Sequence, residues 1–334
     1  MSKNHQPGRR LWHRAALAAT LATTLGAFAG TAAAQAWPEK TIRLVVGGPP
    51  GGAVDVTARV LAERLTPLLG QTVIVENKPG AAGLLGAQEL LKSPHDGSTF
   101  MVQLNGLVSE VPHAFKVPFD PMKALRPVAE LNRGGLVFAG NAQLPAGDLK
   151  SALAHAKAQG NKISYASYSA GTVSHTLGAE LNKLAGLDMV HVPYKGSPPA
   201  LQDLIGGQVH FMFDGAGNVM PHVKSGRLKV FATTAPARLP LMPDVPTFAE
   251  LGYKDLTETI WIGLWTTPDM PAAIQQKLRE ATLKALQDPK LREAYATLGL
   301  NVGTGATTEE MMTSLRAASE RQAGMLQAIG FKAE

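Results

Sequence analysis

The sequence predicts an α/β protein of two doubly wound lobes, each a sheet with helices on its faces, with a ligand cleft between them. Three observations predict it. Short β-branched runs alternate with helical patterns, the alternation restarts after Pro127, and the segments that follow the strands are rich in glycine or hydroxyl groups. Strand–helix–strand order lays parallel strands side by side and puts helices over both faces of the sheet.

The chain begins with an address rather than a fold. Residues 1–14 hold Lys3, Arg9, Arg10 and Arg14 and no acid, 15–29 are apolar, and small residues lead to Ala34-Gln35-Ala36. A basic stretch, a short apolar run and an Ala-x-Ala site are the parts of a secretory signal peptide, expected over 1–36. The apolar run falls short of the roughly 20 residues that span a bilayer. Without this segment the formal charge drops from +6 on 334 residues to +2 on 298. The hint of a polyanionic partner goes with it, and no basic patch interleaved with aromatics points to nucleic acid. The chain has no cysteine, which excludes thiolate metal sites, thiol nucleophiles and disulfides. The histidines after residue 36 show no zinc-type spacing, so neither metal nor cofactor is expected.

Residues 41–46 (TIRLVV) read as the first strand, followed by a Gly/Pro loop and a helical pattern in which Val56, Val60, Leu61, Leu65 and Leu68 share one face, with Gly70 as its stop. A strand at 72–76, a helix at 84–91 and a strand at 99–104 follow. After Pro127, strands at 136–139 and 163–166 flank a helix at 149–159, with Asp148 as the expected N-cap and Gly160 as the stop. Helices at 176–184, 199–205 and 219–224 lead to strands at 189–193, 209–213 and 228–233. One more strand lies near 261–265, then helices at 272–287 and 290–298. The last helix opens with a capping box, Thr307-x-x-Glu310, and is expected to bury Met311, Leu315, Ala318, Met325 and Ile329. No Ser/Gly linker separates the lobes, and no tandem repeat is visible.

The loops after the strands carry the functional information. In Gly47-Gly48-Pro49-Pro50-Gly51-Gly52-Ala53-Val54-Asp55 the glycines admit a ligand close to the backbone, and the following helix offers free N–H groups and its positive dipole end. Both the Walker ending and the G-x-G-x-x-G spacing are absent. The plainer reading is a tight turn with Asp55 as N-cap. The second loop, from Tyr168 through Ser169, Gly171, Thr172 and Ser174 to His175, suits a carboxylate or hydroxyl ligand. It also approaches a nucleophile elbow at Ser169, with Asp214 and His222 following in hydrolase order, but the first glycine of that motif is missing. Lys195 reads either as a partner for an acidic ligand or as a solvated surface residue. Asp214, at a strand end, reads either as a ligand acceptor or as a loop brace.

Along essentially the whole chain after residue 36, the sequence resembles the periplasmic substrate-binding receptors of tripartite tricarboxylate transporters, the Bug family. The resemblance rests on Trp37-Pro38-Glu39-Lys40-Thr41-Ile42-Arg43, Pro50-Gly51-Gly52-x-x-Asp55, Val75-Glu76-Asn77-Lys78-Pro79-Gly80-Ala81-Ala82-Gly83, Asp96-Gly97-x-Thr99, Ser174-His175, Val192-Pro193-Tyr194-Lys195-Gly196, Gly206-Gly207-Gln208-Val209, Pro243-Asp244-Val245-Pro246-Thr247 and Glu250-x-Gly252. It implies a type II periplasmic-binding fold whose two lobes close on a small organic acid, delivered to a membrane permease. It further implies lobe 1 over 37–134 and 256–334, lobe 2 over 135–255, a periplasmic location of the Gram-negative type, no catalysis and a monomer. A carboxylate would be held by Pro49, Pro50, Gly51, Gly52 and Asp55, by Asn105 and Gly106, and from the second lobe by Ser169, Gly171, Thr172, Ser174, His175 and Asp214. Three departures stand out: Gly47-Gly48 where members carry Pro-Phe, Ser98 in Asp-Gly-Tyr-Thr, and Ser169 in place of a glycine. The first is expected to reshape the pocket toward a bulkier acid. The alternatives are a periplasmic α/β hydrolase using Ser169, and a receptor that signals rather than transports.

Overall fold

The computed structural model describes Met1 and residues 37–333, so the leader expected at 1–36 lies, Met1 apart, outside the described residues. From Lys40 onward the chain forms one compact unit built on two sheets. The first sheet takes β1 (Ile42–Val46), β2 (Val73–Asn77), β3 (Thr99–Leu104) and β4 (Arg126–Gly134). The second takes β5 (Leu136–Asn141), β6 (Ser164–Ser167), β7 (Val190–Pro193), β8 (Phe211–Gly215) and β9 (Leu228–Thr233). The chain then returns to the first sheet with β10 (Ile260–Thr266) and the short β11 (Asn301–Val302).

The strand orders are β11-β4-β10-β3-β1-β2 and β7-β6-β8-β5-β9. In each, the first three strands of the unit are parallel, and one strand that has crossed from the other sheet lies antiparallel between the third and the fourth. The sheets are therefore mixed, not all-parallel as the alternation of elements suggested. A chain that leaves one sheet and enters the other arrives running against the βαβ strands, so β5 and β10 pair antiparallel. The common order is a structural repeat that similarity along the sequence does not reveal.

The helices are α1 (Ala53–Leu69), α2 (Leu84–Lys92), the one-turn α3 (Gly106–Ser109), α4 (Val111–Ala114) and α5 (Pro121–Ala124), then α6 (Leu149–Gln159), α7 (Val173–Ala185), α8 (Ser197–Ile205), α9 (Ala216–Lys224), α10 (Ala272–Ala285), α11 (Pro289–Thr297) and α12 (Thr308–Ala328). Asp148 and Thr307 form the expected caps, each within a capping box. Asp55 does not: the N-cap of α1 is Gly52, and Asp55 sits inside the first turn. The stripe of α12 is also corrected. Its buried residues are Met311, Leu315, Gln322 and Leu326, while Ile329 lies past the helix end and is 40% exposed. A polar glutamine in the apolar line is what sequence periodicity skipped. β4 and the short α3 to α5 were not anticipated, because a strand carrying Arg126, Glu130, Asn132 and Arg133 shows no apolar run.

The second sheet packs on a phenylalanine cluster in which Phe138 lies 5.0 Å from Phe211 and 4.8 Å from Phe213, ring centre to ring centre. The first buries Trp265 and Trp261, stacked at 5.2 Å, against α2, α3 and α12. The sheets are joined where β4 runs through Gly135 into β5. A Cβ on Gly135 would lie 2.3 Å from the backbone nitrogen of Ala235, so the outgoing and returning segments touch there. Buried Thr234 ties them: its N–H donates to Leu136 O, and its hydroxyl oxygen accepts from Leu136 N–H.

Candidate functional site

At the C-terminal edge of the first sheet, β1 gives way to the loop 47–52. Gly51 takes the left-handed conformation (φ +79°), and its N–H donates to Asp55 Oδ2 at 2.8 Å. The remaining bonds of Asp55 go to Arg59 Nε at 3.0 Å and Asn77 Nδ2 at 2.9 Å, while Asn77 Nδ2 also donates to Gly48 O. Burial by itself would raise the Asp55 pKa, but the bonds from Arg59, Gly51 and Asn77 hold the carboxylate below its ordinary range. Its oxygens are thus engaged in bracing the loop. Pro49, Pro50 and Gly51 are exposed, and among the described residues no hydrogen bond runs from this loop to the second sheet's unit.

Gly47 is closely surrounded. A Cβ there would meet Gln103 Nε2 at 2.5 Å and the Cα of Gly83 at 2.8 Å. The glycine serves a three-way close approach of loop, α2 entry and β3 end. Gly48 has only ordinary contacts, from Val54 Cβ at 3.8 Å.

Asn105 and Gly106 follow β3. Buried Asn105 accepts from Trp261 N–H through Oδ1 at 3.0 Å and donates its own N–H to Trp261 O, tying β3 to the incoming β10. Gly106 leaves room for an acid: a Cβ there would stand 2.5 Å from Oε1 of Glu110. Glu110, one turn on, reaches the other lobe, where its Oε2 accepts from Val173 N–H at 2.9 Å.

Val173 opens α7. The loop before it is held by its own hydroxyls: Thr172 Oγ1 donates to Ser169 O at 2.7 Å and Ser174 Oγ to Phe213 O at 2.6 Å. Gly171, at φ +74°, donates its N–H to His175 Nδ1 and accepts from Gln322 Nε2 at 2.7 Å. The His175 ring stacks on His191 at 3.7 Å and 8°, with Phe331 edge-on. His191 Nε2 lies 2.7 Å from Ser167 Oγ. Ser167 Oγ–H is spent on Ser169 O, so the hydrogen-bond network assigns the Nε2–H of His191 as donor and Nδ1 of His175 as acceptor. Burial lowers these imidazoles to about 4 and about 3. Both are neutral near pH 7.

Asp214 closes β8. Its Oδ1 accepts from Gly215 N–H at 2.7 Å and Ser197 Oγ at 2.9 Å, while the buried Oδ2 has no partner among the described residues. Burial raises Asp214 to about 6 and does the same to Glu110. Both charges act on buried Tyr168, whose pKa is driven well up by burial and then by Glu110 and Asp214.

The structure therefore brings Gly106 and the Val173 N–H to Glu110, sets Gly171, Thr172, Ser174 and His175 in the loop and first turn that hold Val173, and places Asp214 on the adjacent strand end. Ser169 carries only a long bond to Ala170 O at 3.4 Å, with no histidine partner, and His222 pairs instead with Arg227 at 2.8 Å. No hydrolase triad assembles from Ser169, Asp214 and His222. Lys195 is exposed, as its solvated-surface reading had it. Sequence reasoning missed Glu110 and Gln322. The available signal was an isolated acid four residues after a glycine within an apolar stretch.

Helix α1 begins at a strand end with no side-chain cap, and α6, α11 and α12 are capped by Asp148, Asp288 and Thr307, whereas the first N–H of α7, whose N-cap Thr172 gives no side-chain bond, is taken by Glu110. Two sheets that share a five-strand order, joined by two crossing segments, make the two-lobed, type II fold of periplasmic binding proteins. The chain belongs to the tripartite tricarboxylate transporter family receptors, whose model matches residues 57–331. It is 36% identical over 279 residues to a Cupriavidus necator protein of the gbd 5' region, covering 84% of each chain. It is 31% identical to Protein BugT of Bordetella pertussis, over 93% of this chain and 98% of that one. The structure of MatC from Rhodopseudomonas palustris with bound malate is similar at a TM-score of 0.76 and 29% identity, covering 87% of this chain and all of that one. The protein is a receptor of this Bug type, not an enzyme.

Proposed function

We propose that the protein captures a small organic acid in the periplasm and delivers it to the membrane permease of a tripartite tricarboxylate-type transporter. The observation that carries this reading is the N-terminus of α1, left without a side-chain cap beside the exposed Gly/Pro loop that follows β1. Such ends present unsatisfied N–H groups and a partial positive charge, which suit a carboxylate without a lysine or arginine. The malate-bound relative supports the ligand class. The basic and apolar leader at 1–36 supports export, and no described helix is long and apolar enough to cross a membrane.

In this reading lobe 1 comprises 37–134 and 256–334, lobe 2 comprises 135–255, and the monomer closes about the two crossing segments at Gly135 and Thr234. Carboxylate contacts come from the loop of Pro49, Pro50, Gly51 and Gly52, with Asp55 bracing it, from Asn105 and Gly106, and from Ser169, Gly171, Thr172, Ser174, His175 and Asp214. Closure traps the ligand because the closed form alone offers contacts from both lobes. The test is mass spectrometry of what co-purifies, followed by thermal shifts with mono-, di- and tricarboxylates. A true ligand at a hundredfold excess over its Kd stabilises by about 2.7 kcal/mol. A panel in which no acid shifts the melting temperature overturns the reading.

A further inference from the structure

Two acids stand in the second lobe's half of the site, and one of them comes from the first lobe. Glu110 accepts from the first helical N–H of α7 at 2.9 Å and lies over Gly106, where a Cβ would come within 2.5 Å of its Oε1. A carboxylate of the chain itself thus occupies the seat between loops from both lobes. Asp214 is only 2% exposed, and its Oδ2 is buried without a partner among the described residues. Tyr168 lies within the field of both acids, its hydroxyl in reach of the Thr172 side chain and the Ser174 N–H. The cation whose charge acts on Glu110 is Arg321, and Arg321 is engaged by Glu258 and by Thr257 O. This half of the site is rich in acceptors and poor in free positive charge.

Resting on the receptor reading above, we infer that Glu110 sets ligand selectivity: the site takes an acid with one carboxylate, whose far end presents N–H donors to Glu110 and Asp214. A second carboxylate at that end meets the Glu110 charge in a partly desolvated place, where like charges repel strongly. An amide or ammonium at the same position gives the free Asp214 Oδ2 the donor it lacks.

The test compares isosteric pairs by calorimetry at pH 7.5: succinate against succinamate, and adipate against its monoamide. The wild-type protein is expected to bind each monoamide at least about tenfold more tightly than its diacid, the scale of one like-charge contact. Glu110→Gln, which keeps an oxygen acceptor for Val173 N–H, is expected to shrink that ratio at least about fivefold, mainly by tightening the diacids. Diacids that bind the wild type as tightly as their monoamides overturn the inference, and that measurement needs no variant. So does a Gln variant that tightens both members of a pair equally, because Glu110 would then be a latch and not a selector. If no acid of any kind binds, the receptor reading falls, and this inference falls with it.

Discussion

His175 and His191 make the acid response of the protein readable at the level of single side chains. Their folded-state values, about 4 and about 3, lie below the ordinary imidazole value of 6.5 because both rings are buried. The unfolded chain therefore binds more protons between pH 6.5 and those values, so the stability they confer is whole above 6.5 and is lost as pH falls toward 4 and 3. Glu110 and Asp214 act with the opposite sign. Raised to about 6, they bind protons in the folded state first, and their contribution is lost as pH rises through 6. The wild-type melting temperature should therefore fall less steeply on acidification than the histidines alone would dictate. His191→Phe keeps a ring against His175, leaves Ser167 bonded to Ser169 O, and should flatten the loss between pH 6.5 and 4. Melts across that range check this, and parallel curves for variant and wild type refute it. None of this was legible in the chain, where His175 was a loop residue and His191 a strand residue with nothing to pair them. Stacking of residues 16 apart follows from the packing of α7, which carries His175, against β7, which carries His191.

Elements were the most legible scale. Strand β9 lies over 228–233 as expected, and the N-cap Asp148 of α6 and the capping box of α12 fall on the expected residues, because these signals are local. The failures have a local cause as well. Strand β4 carries charges that break any apolar run and pair within the strand itself, as Arg133 does with Glu130 across an Nη2–Oε2 distance of 2.7 Å. At the junction of β4 and β5, Gly135 is required by the returning segment. Gly135→Ala places a methyl 2.3 Å from the Ala235 nitrogen, a backbone atom that cannot swing aside. It should cost about 1–3 kcal/mol, visible as a lower midpoint in urea unfolding. An unchanged midpoint would mean that the two segments separate freely, contrary to the contact seen here.

For the molecule as a whole, the proposed receptor role rests the attraction for acids on the α1 helix end and its loop, since a net charge of +2 without residues 1–36 attracts little over distance. The affinity for a bound acid should accordingly change by less than about threefold between 0.05 M and 0.5 M salt. A steep loss, measured by calorimetry, would instead make Lys195 or an arginine a direct partner. The sequence by itself determined the order of the elements, the loops that follow the strands, the leader and the family, because each is written in short-range periodicity, composition or motif spacing. Tertiary structure alone decided that two crossing strands run antiparallel, that Gln103 fills the space at Gly47, and that Glu110 reaches Val173 across 63 residues of chain. Those contacts join segments far apart along the chain, and the site they complete is specified only where the lobes meet.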